Sequence, residues 1–112
     1  MDLDPTYSYV ITVSREIRNE DNDSLGTTEF PLTDVRLAQR HGQPDSAATG
    51  ERVITQYDAR HPDRAVDLRG TDRVRMPWEP DTERARWTIE GDPARSPWPD
   101  GGCLFVLQRE RG

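Results

Sequence analysis

Two stretches of this chain hold residue types suited to covalent or acid–base chemistry. The first is Tyr57-Asp58-Ala59-Arg60-His61-Pro62-Asp63. An aspartate close to a histidine orients the imidazole and readies it as a general base. The second is Cys103, the single thiol and the nucleophile such a base would need. The setting of each member argues against the pair. Cys103 opens the run Cys103-Leu104-Phe105-Val106-Leu107, where a small buried hydrophobe is expected. His61 precedes Pro62 in a predicted turn, open to water. A catalytic Cys–His pair is not expected, and no catalytic residue is assigned.

Metal chemistry fares no better. Asp21, Asp23 and Glu29 offer the oxygen ligands calcium takes. With Asp21 as the first ligand of an EF-hand loop, however, the twelfth position is Leu32 and not an acid. The three read as a solvated acidic turn. His41 and His61 do not fill a zinc site when the only cysteine is sequestered. No metal and no cofactor are expected.

The tryptophans are more informative. Trp78 lies in Pro77-Trp78-Glu79-Pro80 and Trp98 in Pro97-Trp98-Pro99. An indole on a proline-stiffened loop presents a flat apolar face with little entropy left to lose on binding. Carboxylates surround both in sequence: Glu79, Asp81 and Glu83 near the first, Asp92 and Asp100 near the second. The candidate binding set is Trp78, Trp98, Glu79, Asp81 and Asp100, and the partner it implies is a protein with a basic, apolar surface. The competing reading is that the rings plug the ends of a thin core. Trp87, on a predicted strand, is expected in the core.

These residues must be positioned by short strands. Tyr7, Tyr9, Ile11, Val13 and Ile17 alternate with polar residues, Arg15 interrupting the apolar face and Val10 the polar one. Residues 21–26 read as a turn and 27–32 as the returning strand, with Phe30 and Leu32 inward and Pro31 marking an edge or a bulge. Residues 33–41 fit a short helix capped by Thr33 or a continued strand. Residues 43–50 read as a loop. Strands follow at 52–58 and 84–90, and a hairpin over 65–76 turns at Gly70-Thr71-Asp72, with Val66, Leu68, Val74 and Met76 inward. A Pro/Gly-rich loop over 91–101 leads to the final strand. That strand is apolar on both faces, so it is expected mid-sheet with cover on both sides. The sum is an all-β fold with at most one short helix, a small antiparallel sandwich or barrel of six to seven strands. No stretch reproduces a named family pattern.

Composition sets the outer limits. The chain has 112 residues, read as one domain spanning 1–112. It is 32% hydrophobic and 32% charged, with a net charge of −6. So little apolar material makes a thin core, and a homodimer is expected to complete it. Every basic residue is arginine and none is clustered. The acidic balance disfavours nucleic acid and anionic membranes as partners. With one cysteine, no apolar run of membrane-spanning length and no signal-like start, a cytoplasmic location is expected. The functional expectation is a non-enzymatic interaction, regulatory or accessory protein with an acidic surface. The alternative is a small-molecule-binding barrel, with or without catalysis. Tyr7, Tyr9, Tyr57 and Trp87 would line it, and Asp58, Arg60 or His61 would stand at its mouth.

Overall fold

A computed structural model describes residues 6–40, 53–80, 82 and 85–111. Their strands are β1 (Tyr9–Arg18), β2 (Ser24–Arg40), β3 (Val53–His61), β4 (Arg73–Arg75), β5 (Trp87–Ile89), β6 (Ala94–Arg95) and β7 (Cys103–Arg111). Among the described residues there is no helix, and so none long and apolar enough to cross a membrane. Each strand pairs antiparallel with its neighbours in the order β3-β2-β1-β4-β5-β7, and β3 pairs back onto β7. The sheet thereby closes into a six-stranded barrel. The small β6 shares the β5 edge of β7, the two separated by Glu90-Gly91-Asp92-Pro93, with Gly91 at φ 69°.

Closure explains how a polar sequence assembles a core. Each barrel strand needs only one apolar face, and the faces converge on one interior. Ile11, Val13, Val35, Leu37, Leu68, Val74, Met76, Trp87, Cys103 and Leu107 are buried there to within 1% of complete. The final strand has hydrogen-bonded neighbours on both edges, as expected, but only its Cys103, Phe105 and Leu107 face is buried. Its other face is the outside of the barrel. Leu104 is 55% exposed there, because a closed sheet has no second layer to cover it.

Residues 33–40 are strand. β2 continues to Arg40 by way of a bulge, in which Tyr9 pairs with Val35 but Ile11 with Leu32. The extra residue lets Leu32 and Val35 both point inward although an odd number of positions separates them. Asp34 takes the left-handed conformation there, φ 60°, which aspartate tolerates better than most residues. The turn before β2 is also tighter than expected: it lies at Asn19–Asp23, with Asn22 at φ 64°, and the strand resumes at Ser24.

The hairpin expected over 65–76 does not form. β4 is only Arg73–Arg75, and residues 62–72 run as a loop with Val66 and Leu68 buried. The reason lies on β6. The Arg95 guanidinium donates to the carbonyls of Arg64 and Val66, at 2.7 and 2.8 Å, and to that of Leu68 at 2.7 Å. These carbonyls are satisfied by a side chain, so no sheet partner is required.

The barrel has two unlike ends. At one, Tyr7, Tyr9, Trp78, Tyr57 and Trp87 form a chain of ring contacts with centroids 4.8–6.2 Å apart. At the other, Arg15 turns inward after Val13. It meets the buried carboxylate of Asp72 with two bonds of 2.9 and 2.8 Å, and the exposed Asp67 at 3.0 Å. The Phe30 ring lies 5.2 Å from the guanidinium carbon. Beyond this clamp, β1 from Arg15 and β2 up to Thr28 continue as a two-stranded arm. Ile17 and Leu25 are exposed on it, and both outer edges are unpaired among the described residues.

Candidate functional site

Trp98 is 70% exposed at the tip of the β6–β7 turn. The turn under it is tightly held. Ser96 Oγ accepts from the Trp98 amide at 3.0 Å, the Gly101 amide donates to the Trp98 carbonyl at 3.1 Å, and Ser96 N donates to the Gly102 carbonyl at 3.0 Å. From outside, Arg64 donates to the Pro97 carbonyl at 2.8 Å and Arg60 to that of Gly101 at 3.4 Å. Gly102 sits at φ 77°, and a Cβ on it would collide with the His61 carbonyl. The indole is therefore displayed on a fixed support.

Trp78 is different. It packs edge-on against Tyr9 and Tyr57, with centroids 6.2 and 5.9 Å away, and only 38% of it meets solvent. It follows β4 and lies at the aromatic end, whereas Trp98 precedes β7 and lies at the opposite end. The two rings do not share a surface.

Glu79 is not a surface acid, contrary to expectation. Its Oε1 accepts from the Trp87 indole N–H at 3.0 Å and from the Met76 amide at 2.7 Å, and its Oε2 lies 3.7 Å from Arg109. Arg109 in turn covers the Trp87 ring, 4.6 Å from its centroid. The glutamate is drawn inward because a buried indole N–H needs an acceptor. Asp81 and Glu83 lie outside the described residues. Asp92 and Asp100 are exposed, but the side chains that grip the Trp98 turn are Arg60 and Arg64. The Trp98 turn is therefore bordered by arginines as well as by acids.

The residues weighed for catalysis are brought closer than their sequence spacing implied. His61 and Cys103 are directly opposed in the β3–β7 ladder. Yet Cys103 is completely buried, and burial pushes its thiol above the usual range. His61 Nδ1 accepts from the Asp63 amide at 3.0 Å. Asp58 is on the outer face, paired with Arg40 at 2.9 Å, and does not orient the imidazole. His41 lies outside the described residues. Asp21, Asp23 and Glu29 do not gather with other ligating groups into a set of three among the described residues. Cys103 should resist a thiol reagent in the folded protein and react only on unfolding, and Cys103→Ala should cost roughly 1 kcal/mol. Rapid native labelling would show that the barrel opens at this strand.

One feature was not singled out from sequence. Arg36, Arg60, Leu104 and Ala94 are successive register partners across β2, β3, β7 and β6, forming one row on the outer face. Alternation from the buried Leu37, Ala59 and Cys103 places them outside, and the Trp98 turn borders the row through Arg60. Comparison with family models, curated proteins and solved structures finds no match for this chain.

Proposed function

We propose that this protein is a non-enzymatic interaction module whose working surface is the Trp98 turn with the adjoining Leu104 row. The observation that carries the reading is the indole itself: largely exposed, yet mounted on a turn held by backbone, serine and two arginines. A rigid exposed aromatic on the turn that leads into the strand of an exposed leucine has the anatomy of an interface anchor, since covering it costs little ordering entropy. The interior supports the same reading. Tyr9 and Tyr57, which a ligand barrel would spread around its cavity, both pack edge-on against Trp78, Tyr57 also packs on Trp87, and Tyr7 is mostly exposed.

Self-association belongs to the proposal as a separate surface. The free edges of the β1–β2 arm, with Ile17 and Leu25 exposed on it, suit strand-to-strand pairing with a second copy. A cytoplasmic setting is also proposed, on the strength of the single, unpaired cysteine.

The test compares capture of binding proteins by the parent chain with capture by Trp98→Ala and Leu104→Ser. Both variants should melt within a few degrees of the parent and lose the same captured protein. Variants that fold and keep all binding would remove this surface. Light scattering at micromolar concentration should give twice the 12.8 kDa chain mass, and Ile17→Asp with Leu25→Asp should return it to one. A particle that stays at one chain mass at high concentration would end the dimer idea.

A further inference from the structure

Several arginines on this barrel are occupied. Arg15 is tied to Asp72 and Asp67, Arg18 to Glu16, Arg40 to Asp58, and Arg95 to backbone carbonyls. Arg36 and Arg60 differ. They are direct partners on β2 and β3, both on the outer face, and like charges so placed repel. The carboxylate nearest along that face of β3, Asp58, is taken by Arg40. Among the described residues Arg60 reaches only the Gly101 carbonyl and Arg36 makes no ion pair. Beside them, Ser8, Asp34 and Pro62 complete an open cleft of about 290 Å³. Asp34 sits there on the bulge and accepts from the Thr33 hydroxyl at 3.5 Å, not from either arginine.

We propose that Arg36 and Arg60 together grip carboxylates of an acidic segment of a partner protein, with an apolar side chain of that segment lying on Leu104 and Trp98. The proposal rests on the interaction reading above and gives its partner a chemistry. Two guanidiniums side by side offer planar, forked donors matched to carboxylate oxygens. Binding an anion also relieves their mutual repulsion, which is a gain available only in the complex. The net charge of −6 sets the kind of acid. A long polyanion such as nucleic acid would feel the repulsion of the whole molecule, while a short acidic segment with apolar neighbours gains local contacts that outweigh it. The expectation of a basic partner, drawn from carboxylates near the rings in sequence, loses Glu79 to the interior and meets Arg60 and Arg64 at the Trp98 turn.

The probe is an acetylated ten-residue peptide of alternating glutamate and leucine, titrated into the full isotope-labelled chain and followed by NMR. A peptide with lysine for every glutamate and a ten-nucleotide single strand of DNA serve as comparisons. The acidic peptide should shift the Arg36 and Arg60 side-chain Nε–H signals and the Trp98 indole signal together. Arg36→Gln with Arg60→Gln should weaken binding by about tenfold or more, and Arg36→Gln alone, which keeps the Arg60 bond to the Gly101 carbonyl, should weaken it as well and melt no lower than the parent. If Trp98→Ala weakens binding and the arginine pair does not, the carboxylate proposal falls and the interaction reading stands. If no variant changes binding, or the acidic peptide does not bind, the carboxylate proposal falls, and the interaction reading is decided by the capture test with Trp98→Ala and Leu104→Ser. Equal binding of the lysine peptide, or tighter binding of the DNA through the same arginines, would also overturn the proposal.

Discussion

Trp87→Ala is expected to destabilise the protein by about 3–5 kcal/mol, as deletion of a large buried ring does. Trp87 is almost completely buried, and three other groups depend on it. Tyr57 packs on the ring at 5.0 Å, Arg109 covers its face, and Glu79 accepts its indole N–H. Arg109 also has a buried Nε without a hydrogen-bond partner, so the ring face is much of what accommodates that guanidinium. Trp87→Phe separates the contributions. It keeps a large part of the apolar filling and removes the N–H donor with the pyrrole part of the ring, so it should cost roughly 1–3 kcal/mol. Urea denaturation of both variants checks this. Similar, small losses for the two would mean that the aromatic end is not a packed plug.

The second large effect is at the other end. Asp72→Ala should cost about 3–5 kcal/mol, because it leaves the Arg15 guanidinium with half its partners gone and mostly shielded from water. Asp72 is buried and accepts two bonds from Arg15 and one from the Arg69 amide at 2.8 Å. Hydrogen bonds from Arg15 to Asp72, then to Asp67, hold its guanidinium firmly charged, above even its usual range. The cost should be asymmetric. Replacing both partners, Arg15→Met with Asp72→Leu, should recover most of the loss, since the charges are removed together. A double variant as unstable as Asp72→Ala would show that the Arg69 amide bond, and not the ion pair, dominates. Acid should weaken the same clamp. The Arg15 hydrogen bond holds the exposed Asp67 carboxyl below its ordinary value. Its contribution is therefore complete above about pH 4, the unfolded value, and fades as pH falls through the lower folded value.

Strand positions were legible where alternation was clean, as from Tyr9 to Val13 and from Cys103 to Leu107. Two kinds of feature were not. The bulge at Thr33–Asp34 breaks the two-residue period between Leu32 and Val35, and with Thr33 able to cap a helix the segment fitted helix or strand alike. The 62–72 loop carries a strand-like pattern, because Val66 and Leu68 do point inward, yet its carbonyls go to Arg95, far off in sequence. The same distance hid the site. Trp98 was recognisable from its prolines alone, whereas the pairing of Arg36 with Arg60 exists only through β2–β3 register. Glu79 looked like a surface acid because nothing local announces that a strand eight residues on will deliver an indole N–H.

The β3–β7 seam has a consequence for how fast this protein reaches its native state. β1 and β2 meet through a tight turn, but β3 and β7 must close a loop on the order of fifty residues, with the entropy that entails. A barrel dominated by such distant pairings should fold in milliseconds to seconds, not microseconds. The β1–β2 hairpin should form early and the seam last. Ala59→Gly and Phe105→Leu, both on the seam, should then speed unfolding while leaving the refolding rate nearly unchanged, and Val13→Ala should slow refolding. Kinetic lifetime would thus be set at the seam and folding speed at the hairpin, two properties adjustable independently in one small barrel.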